Sequence, residues 1–153
     1  MIKSGSKILI YRLGSLGDTV IALPCFHKVR ESFPDAEITV LTNQPIMAKA
    51  APLEAVLGRG YFFDNVLDYP IGTRNPLVLL RLLLKIYSLK IDTIVNLSAA
   101  RSPKSANRDR WFFKLAGVKH LIGFPTRKED FELSVDPKTG EYEWEAKRLA
   151  RRI

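Results

Sequence analysis

Short aliphatic runs alternate with longer amphipathic segments along this chain, and that alternation constrains the fold more than any single motif. The first run, residues 7–11, is aliphatic and β-branched throughout its centre, as expected of a strand buried on both faces. A helical pattern follows it, and a second apolar run covers residues 37–41. A strand, a helix and a strand joined by short loops predict parallel strands and a right-handed crossover.

The same alternation continues to the end of the chain. Further strands are predicted at residues 65–69, 93–97 and 120–124, with an edge strand at 131–135 before a turn at 136–140. Helices are predicted at 44–55, 76–89, 102–116 and from 141 onward, and Pro24 predicts a kink or a fresh start in the first helix. The sequence therefore predicts an α/β fold with a Rossmann-like, doubly wound and mostly parallel sheet that has helices on both faces.

Size and cysteine content indicate the class of protein and its compartment. A chain of 153 residues with 46% hydrophobic and 26% charged residues is typical of one globular domain with its own core. The single cysteine, Cys25, rules out an internal disulfide, and its apolar neighbours favour a buried structural role. The apolar run at 8–11 is too short for a signal peptide, and the stretch at 76–84 is too short to span a membrane. We therefore expect a cytoplasmic protein.

The charge balance favours an anionic partner. The formal net charge is +8 and the sequence pI is about 9.7. Nucleic acid, an acidic membrane surface and a phosphorylated or carboxylated substrate all fit this surplus, as does a basic surface with no such role. Net charge alone does not choose among them.

The loop after the first strand, residues 13–18, contains two glycines and an aspartate. A glycine-rich turn at this place often binds phosphate at the start of a helix. Here the spacing is Gly14-x-x-Gly17 rather than G-x-G-x-x-G, and Asp18 at the helix start would repel a pyrophosphate. The second strand ends in Asn43, with no acid to hold a ribose hydroxyl. The loop therefore argues against a nicotinamide site.

Two roles for Asp18 follow from its position. Ligands of α/β sheets bind at the carboxyl ends of the strands, so the side chain is expected to face a cleft. As an N-cap, it would accept hydrogen bonds from the free amides of the first turn, worth about 1 kcal/mol. As a general base, it would take a proton from an attacking hydroxyl, although amide donors and the helix dipole weaken such a base. Spacing alone leaves both roles open.

Two blocks of sequence carry a resemblance to a known family. The chain resembles the opening of the ADP-heptose:lipopolysaccharide heptosyltransferase family at residues 7–20 (KILIYRLGSLGDTV), 22–24 (ALP) and 33–36 (FPDA). A second block is similar at 91–97 (IDTIVNL), 101–102 (RS), 115–117 (LAG) and 122–124 (IGF). The resemblance covers most of the chain, from about residue 7 to the last helix.

The resemblance implies an inverting, metal-independent glycosyltransferase of the two-domain B type. Its N-terminal Rossmann-like domain would bind the acceptor, and Asp18 matches the aspartate assigned as the family's catalytic base. Gly14, Ser15 and Gly17 match the loop that shapes the acceptor side. No metal and no cofactor are expected, and a nucleotide-sugar such as ADP-heptose would be the co-substrate.

The resemblance also implies a division into domains. Residues 1–140 would form the acceptor-binding domain, and residues 141–153 would begin an inter-domain helix. The donor-binding domain would then be missing, and this chain alone should not catalyse transfer. A frayed terminal helix is the simpler interpretation of the same segment.

Cations near the ends of the central strands are the expected contacts of an acceptor. A lipopolysaccharide core carries carboxylates and phosphates, which Arg12, Arg101 and Lys104 would bind. Asn96 and Ser98, at the end of a central strand, complete the predicted acceptor site. The expected partner is an anionic glycan or glycolipid, with contact at the cytoplasmic face of the inner membrane as a further expectation and no nucleic acid. For the cations of residues 101–110, a solvated helix face remains the alternative.

Two other interpretations stay open. The helix at 76–89 carries only Arg81 and Lys85 as charges, and it either covers the sheet or lies on an anionic bilayer. Residues 111–113 (WFF) either stack bases or form a buried helix face, and no nucleic-acid motif accompanies them. The rival to an enzyme is therefore a non-catalytic basic α/β module that binds nucleic acid or an anionic membrane.

Overall fold

The computed structural model describes residues 5–43, 57–58, 60–70, 72–99 and 102–153. Its centre is a five-stranded sheet in the order β3-β2-β1-β4-β5, and every pair of neighbours is parallel. The strands are β1 (Lys7–Tyr11), β2 (Glu37–Asn43), β3 (Asn65–Tyr69), β4 (Thr93–Asn96) and β5 (His120–Ile122). The predicted parallel α/β sheet is confirmed.

Within the described residues, five α-helices with both ends resolved connect or follow these strands. They are α1 (Leu16–Ile21), α2 (Leu23–Ser32), α3 (Pro76–Ser88), α4 (Pro103–Leu115) and α5 (Glu145–Arg152). The predicted interruption at Pro24 is confirmed as a fresh start, because α1 ends at Ile21, Ala22 caps both helices, and Pro24 lies in the first turn of α2. A proline is tolerated there, since the amides of a first turn have no partner within the helix.

Side chains alternate across the sheet and build a core on each face, as a doubly wound fold requires. The core under α2 and α5 contains Ile8, Ile10, Ile38, Val40, Val95, Cys25, Phe26 and Leu149. The core under α3 and α4 contains Leu9, Tyr11, Leu41, Ile94, Leu82, Ile86 and Phe113. Helix α5, the last of the chain, packs against α2. The two faces of the sheet are therefore covered by different helices.

One predicted strand is wrong. Residues 131–135 follow a 3₁₀ turn (Lys128–Asp130) and form only an isolated antiparallel bridge, Val135 to Tyr142. The turn at 136–140 is present and is closed by a hydrogen bond from the Gly140 amide to the Asp136 carbonyl. Leu133 and Val135 are exposed, so the alternating pattern has no sheet face on which to bury its apolar half. The predicted helix at 44–55 lies outside the described residues.

Candidate functional site

The loop between β1 and α1 holds Asp18 by a reciprocal capping arrangement. Ser15 is the N-cap, and its hydroxyl accepts the amide hydrogen bond of Asp18. Asp18 is the third residue of the helix, and its carboxylate accepts from the amide of Ser15. Of the two roles considered for Asp18, the N-cap is therefore excluded, because Ser15 occupies that position. The Ser-x-x-Asp spacing, a capping-box pattern, was the signal for the correct assignment.

The two oxygens of the Asp18 carboxylate have different surroundings. Oδ2 accepts from the Ser15 amide at 2.7 Å and from the Ser15 hydroxyl at 2.8 Å. Oδ1 lies 3.9 Å from the Arg12 guanidinium, and half of the side chain (50%) is exposed. Hydrogen bonding from the Ser15 amide lowers the Asp18 pKa, with further lowering by the Ser15 hydroxyl and Arg12 against an opposing effect of partial burial. The carboxylate is thus ionised, and it is fixed through Oδ2, while Oδ1 accepts no hydrogen bond from Ser15.

Gly14 is required by this arrangement. Its φ is +142°, and a Cβ at this position would lie 2.6 Å from Asp18 Oδ2. The Gly14 amide also donates to Asn43 Oδ1 at 2.9 Å, which ties the loop to the end of β2. Gly17, by contrast, would place a Cβ 3.8 Å from the Ser15 hydroxyl, an ordinary contact distance. Gly14 therefore leaves room for the Asp18 carboxylate, and Gly17, which has no side chain, leaves the surface of the loop exposed.

Arg12 does not face the solvent in this structure, and its predicted contact with an acceptor stays a prediction. The residue is 3% exposed, and its guanidinium donates to the Leu97 carbonyl at 2.7 Å. Burial lowers the pKa of this guanidinium, and the charge of Asp18 opposes that effect. The same guanidinium lies 3.9 Å from the Asp18 carboxylate. Arg12 therefore connects the end of β4 to that carboxylate and helps to position it.

Asn96 and Ser98 are buried as well, and their predicted contacts with an acceptor stay predictions. The Ser98 hydroxyl accepts from the Leu13 amide at 2.7 Å and donates to the Tyr11 carbonyl at 3.1 Å. The Ser98 amide donates to Asn96 Oδ1 at 2.9 Å. These bonds join the ends of β1 and β4 and hold the first residues of the loop in place.

Arg152 belongs to the same network, although its sequence pattern did not indicate it. Its guanidinium donates to three carbonyl groups at the ends of β4 and β5. They belong to Asn96, Ser98 and Gly123. The helical stripe at residues 142–153 predicts α5 and its apolar face. It does not indicate which of the three arginines in the last turns, Arg148, Arg151 or Arg152, faces the sheet. Only the packing of α5 against α2 turns Arg152 toward the sheet.

A groove of about 460 Å³ opens at the carboxyl edge, between the start of α4 and the segment after β5. It is lined by Pro103, Asn107, Arg110, Pro125, Thr126, Lys128, Phe131 and Glu132. Within the described residues, neither Arg110 nor Lys128 has an ion-pair partner, whereas Arg108 pairs with Asp109 at 2.9 Å. The groove therefore offers two free cations beside an aromatic ring.

The remaining predicted residues are placed as follows. Lys104 is exposed in the first turn of α4, and Arg101 lies outside the described residues. A second groove, of about 570 Å³, lies near the start of β2 and is lined by the paired side chains of Arg30 and Asp64. Asp18 lines neither of these two grooves. It stands instead on the open carboxyl edge.

Over the described ranges, no group of three or more histidine, cysteine, aspartate or glutamate side chains is arranged to hold a metal ion. In the same part of the chain, no helix combines the length and the apolar character needed to cross a bilayer.

The fold has a distant structural neighbour. No protein-family model matches the sequence. No curated protein matches it significantly. The structure is similar to the crystal structure of a glycosyl transferase family 9 protein from Veillonella parvula DSM 2008, with a TM-score of 0.60 and 15% sequence identity over 99% of this chain. The chain spans 42% of the length of that neighbour, and at this identity the likeness concerns the fold.

Proposed function

We propose that this chain is the acceptor-side domain of a glycosyltransferase and that Asp18 is its general base. One observation carries the proposal. A half-exposed carboxylate stands at the carboxyl edge of a parallel sheet, with two hydrogen bonds from Ser15 on Oδ2 and the Arg12 guanidinium 3.9 Å from Oδ1. The fold it shares with a glycosyl transferase family 9 protein supports the same class of reaction.

The proposed step uses Oδ1 of Asp18, because Oδ2 is occupied by Ser15. An acceptor hydroxyl attacks the anomeric carbon of the donor sugar, the bond to the nucleotide diphosphate breaks, and the hydroxyl proton passes to Oδ1. Inversion of the anomeric centre follows from a single displacement. The low pKa makes Asp18 a weak base, which suits a reaction in which departure of the diphosphate runs ahead of proton transfer.

The donor is assigned to a second domain. In this proposal residues 1–140 bind the acceptor, residues 141–153 begin the connection, and a nucleotide-sugar such as ADP-heptose binds outside this chain. The neighbour's greater length supports this division, since the present chain matches 42% of it. In this proposal the reaction uses neither a metal nor an organic cofactor, and Asp18 accepts the proton of the acceptor hydroxyl.

The acceptor is an anionic glycan or glycolipid, and we assign its charge to the groove beside α4. Arg110 and Lys128 supply two cations there, Phe131 offers a ring face to a sugar, and Asn107 offers an amide. This assignment replaces Arg12, which is buried, with cations that a ligand can reach. An acceptor bound there lies two strands away from Asp18, a separation of about 10 Å across the sheet, which suits an oligosaccharide rather than a single sugar.

A transfer assay with the full-length protein tests this function. The donor is ADP-heptose, with other nucleotide-sugars in parallel, and the acceptor is a lipopolysaccharide inner-core oligosaccharide. We expect a product heavier by one sugar residue in mass spectrometry, formed only when donor and acceptor are both present. Absence of transfer with every donor, together with salt-sensitive binding to generic DNA, would support the rival basic module instead.

Removing the cations of the groove should weaken acceptor binding. Arg110→Gln and Lys128→Gln are each expected to raise the acceptor KM about tenfold, with kcat nearly unchanged, because they hold the acceptor equally before and during the reaction. Steady-state kinetics over a range of acceptor concentrations measure the effect. Lys119→Gln removes an exposed charge next to β5 at the opposite edge of the sheet and serves as the control. Equal KM values in all three variants would contradict the assignment.

A further inference from the structure

Helix α3 exposes an apolar stripe to the solvent. Leu77, Leu80, Leu84 and Tyr87 follow one another at helical spacing and are between 51% and 64% exposed. Leu82 and Ile86 lie on the opposite side of the helix and are buried against the sheet. The helix therefore has one apolar side for the core and a second one that no described residue covers.

Helix α4 extends this surface. Trp111 and Leu115 project from α4 and are both 67% exposed. Helices α3 and α4 contact each other on the same face of the sheet, and Tyr87 lies against Gly117, directly after α4. We call the six exposed side chains of these two helices the outer apolar face: Leu77, Leu80, Leu84, Tyr87, Trp111 and Leu115.

Cations border the outer apolar face, and acids are nearly missing from its helices. Arg81 and Lys85 flank the stripe of α3 along one side, and Lys104 and Lys114 are exposed on α4. Across the sequences of both helices the only acid is Asp109, which is partly buried and paired with Arg108. The surface is thus apolar at its centre and positive around it.

We propose that the outer apolar face binds the surface of an anionic bilayer. Leucines would enter the outer part of the acyl region, Trp111 and Tyr87 would lie at the level of the head groups, and the bordering cations would contact lipid phosphates. A second copy of the chain fits this face poorly, because its own cations would meet those of its partner. Helix α5 packs on the opposite side of the sheet and leaves the face open. The inference does not depend on the proposed function.

Vesicle sedimentation tests the proposal. The wild-type chain is expected to bind vesicles of phosphatidylcholine and phosphatidylglycerol in equal parts and to bind pure phosphatidylcholine vesicles at least about tenfold more weakly. Leu80→Gln/Leu84→Gln and Arg81→Gln/Lys85→Gln should each reduce binding about tenfold or more. The matched controls are Leu133→Gln/Val135→Gln for exposed apolar residues and Lys28→Gln/Lys147→Gln for exposed cations, and both should bind like the wild type.

Fluorescence gives a second readout that does not rely on these variants. The chain has two tryptophans, so Trp144→Phe leaves Trp111 as the single probe. Its emission should shift to shorter wavelength when anionic vesicles are added. An unchanged spectrum, or vesicle binding that survives in the Leu80→Gln/Leu84→Gln variant, would overturn the proposal. A dimer in sedimentation velocity that this variant abolishes would overturn it too, in favour of an interface between copies.

Discussion

Asp18→Asn is expected to lower kcat for glycosyl transfer by about 10²- to 10⁴-fold in the full-length enzyme, with little change in the acceptor KM. The amide keeps the shape of the side chain and an oxygen that can accept from Ser15, but it cannot take a proton. The cost to folding should stay near or below about 1 kcal/mol, since only the charge of a capping box is lost. Kinetics and a thermal melt of the same preparation separate the two effects.

A pH profile strengthens this test. The carboxylate is the active form, so the rate is retained while Asp18 is ionised and falls as the pH drops through its pKa. Hydrogen bonding from Ser15 lowers that pKa, which puts the acid limb due to Asp18 below the pH range in which an ordinary aspartate titrates. Ser15→Ala should move the limb upward, because one donor is lost. Glu31→Gln, an exposed change of the same charge on α2, should leave rate and profile unaltered. Full activity in Asp18→Asn would rule out the base.

Gly123→Ala is expected to lower the free energy of unfolding by about 2–5 kcal/mol. Gly123 has a φ of +74°, which costs an alanine about 1–2 kcal/mol. A Cβ there would lie 2.7 Å from the Asn96 carbonyl oxygen and 3.0 Å from Ile153 Cγ2, and overpacking of this kind costs about 1–3 kcal/mol more. For a chain of this length the midpoint of thermal unfolding should fall by roughly 5–15 °C.

Gly140→Ala is the matched control for Gly123→Ala. Gly140 has a similar φ of +71°, but a Cβ there would meet nothing within 4 Å. Its substitution should cost only the conformational part, about 1–2 kcal/mol. Calorimetry or circular dichroism of both variants measures the difference. Equal losses of unfolding free energy in the two variants would mean that the atoms around Gly123, between β5 and the end of β4, move aside for the Cβ at little cost.

The order of strands and helices was predictable because it depends on patterns that extend over many residues. Continuous aliphatic runs such as Lys7–Tyr11 have few alternatives to a buried strand. The predicted strand at 131–135 is wrong because its pattern is short and local. Five alternating residues form a strand only beside another strand, and the sheet ends at β5 without pairing with them. Local alternation indicates a strand only where the fold supplies a partner.

Polar residues at strand ends are harder to assign. Arg12 and Ser98 stand where ligand-binding residues of α/β proteins stand, and nothing in the sequence distinguishes them from such residues. Their partners, Leu97 for Arg12 and Leu13 for Ser98, are 85 positions away in the chain and become neighbours only when β1 pairs with β4. The capping contact of Asp18 is easier to predict, because Ser15, which holds its carboxylate, is only three positions away in the sequence.

The buried guanidinium of Arg12 and the partly buried one of Arg152 also affect how the carboxyl edge meets a charged ligand. A lone aspartate at this place would push an incoming phosphate or carboxylate away. Two positive charges lie beneath the same edge, one of them 3.9 Å from Asp18, so the three groups together are electropositive by one unit. Because the surrounding protein screens this field weakly, we expect an anion approaching from solvent to be drawn toward the Asp18 carboxylate, which alone would repel it.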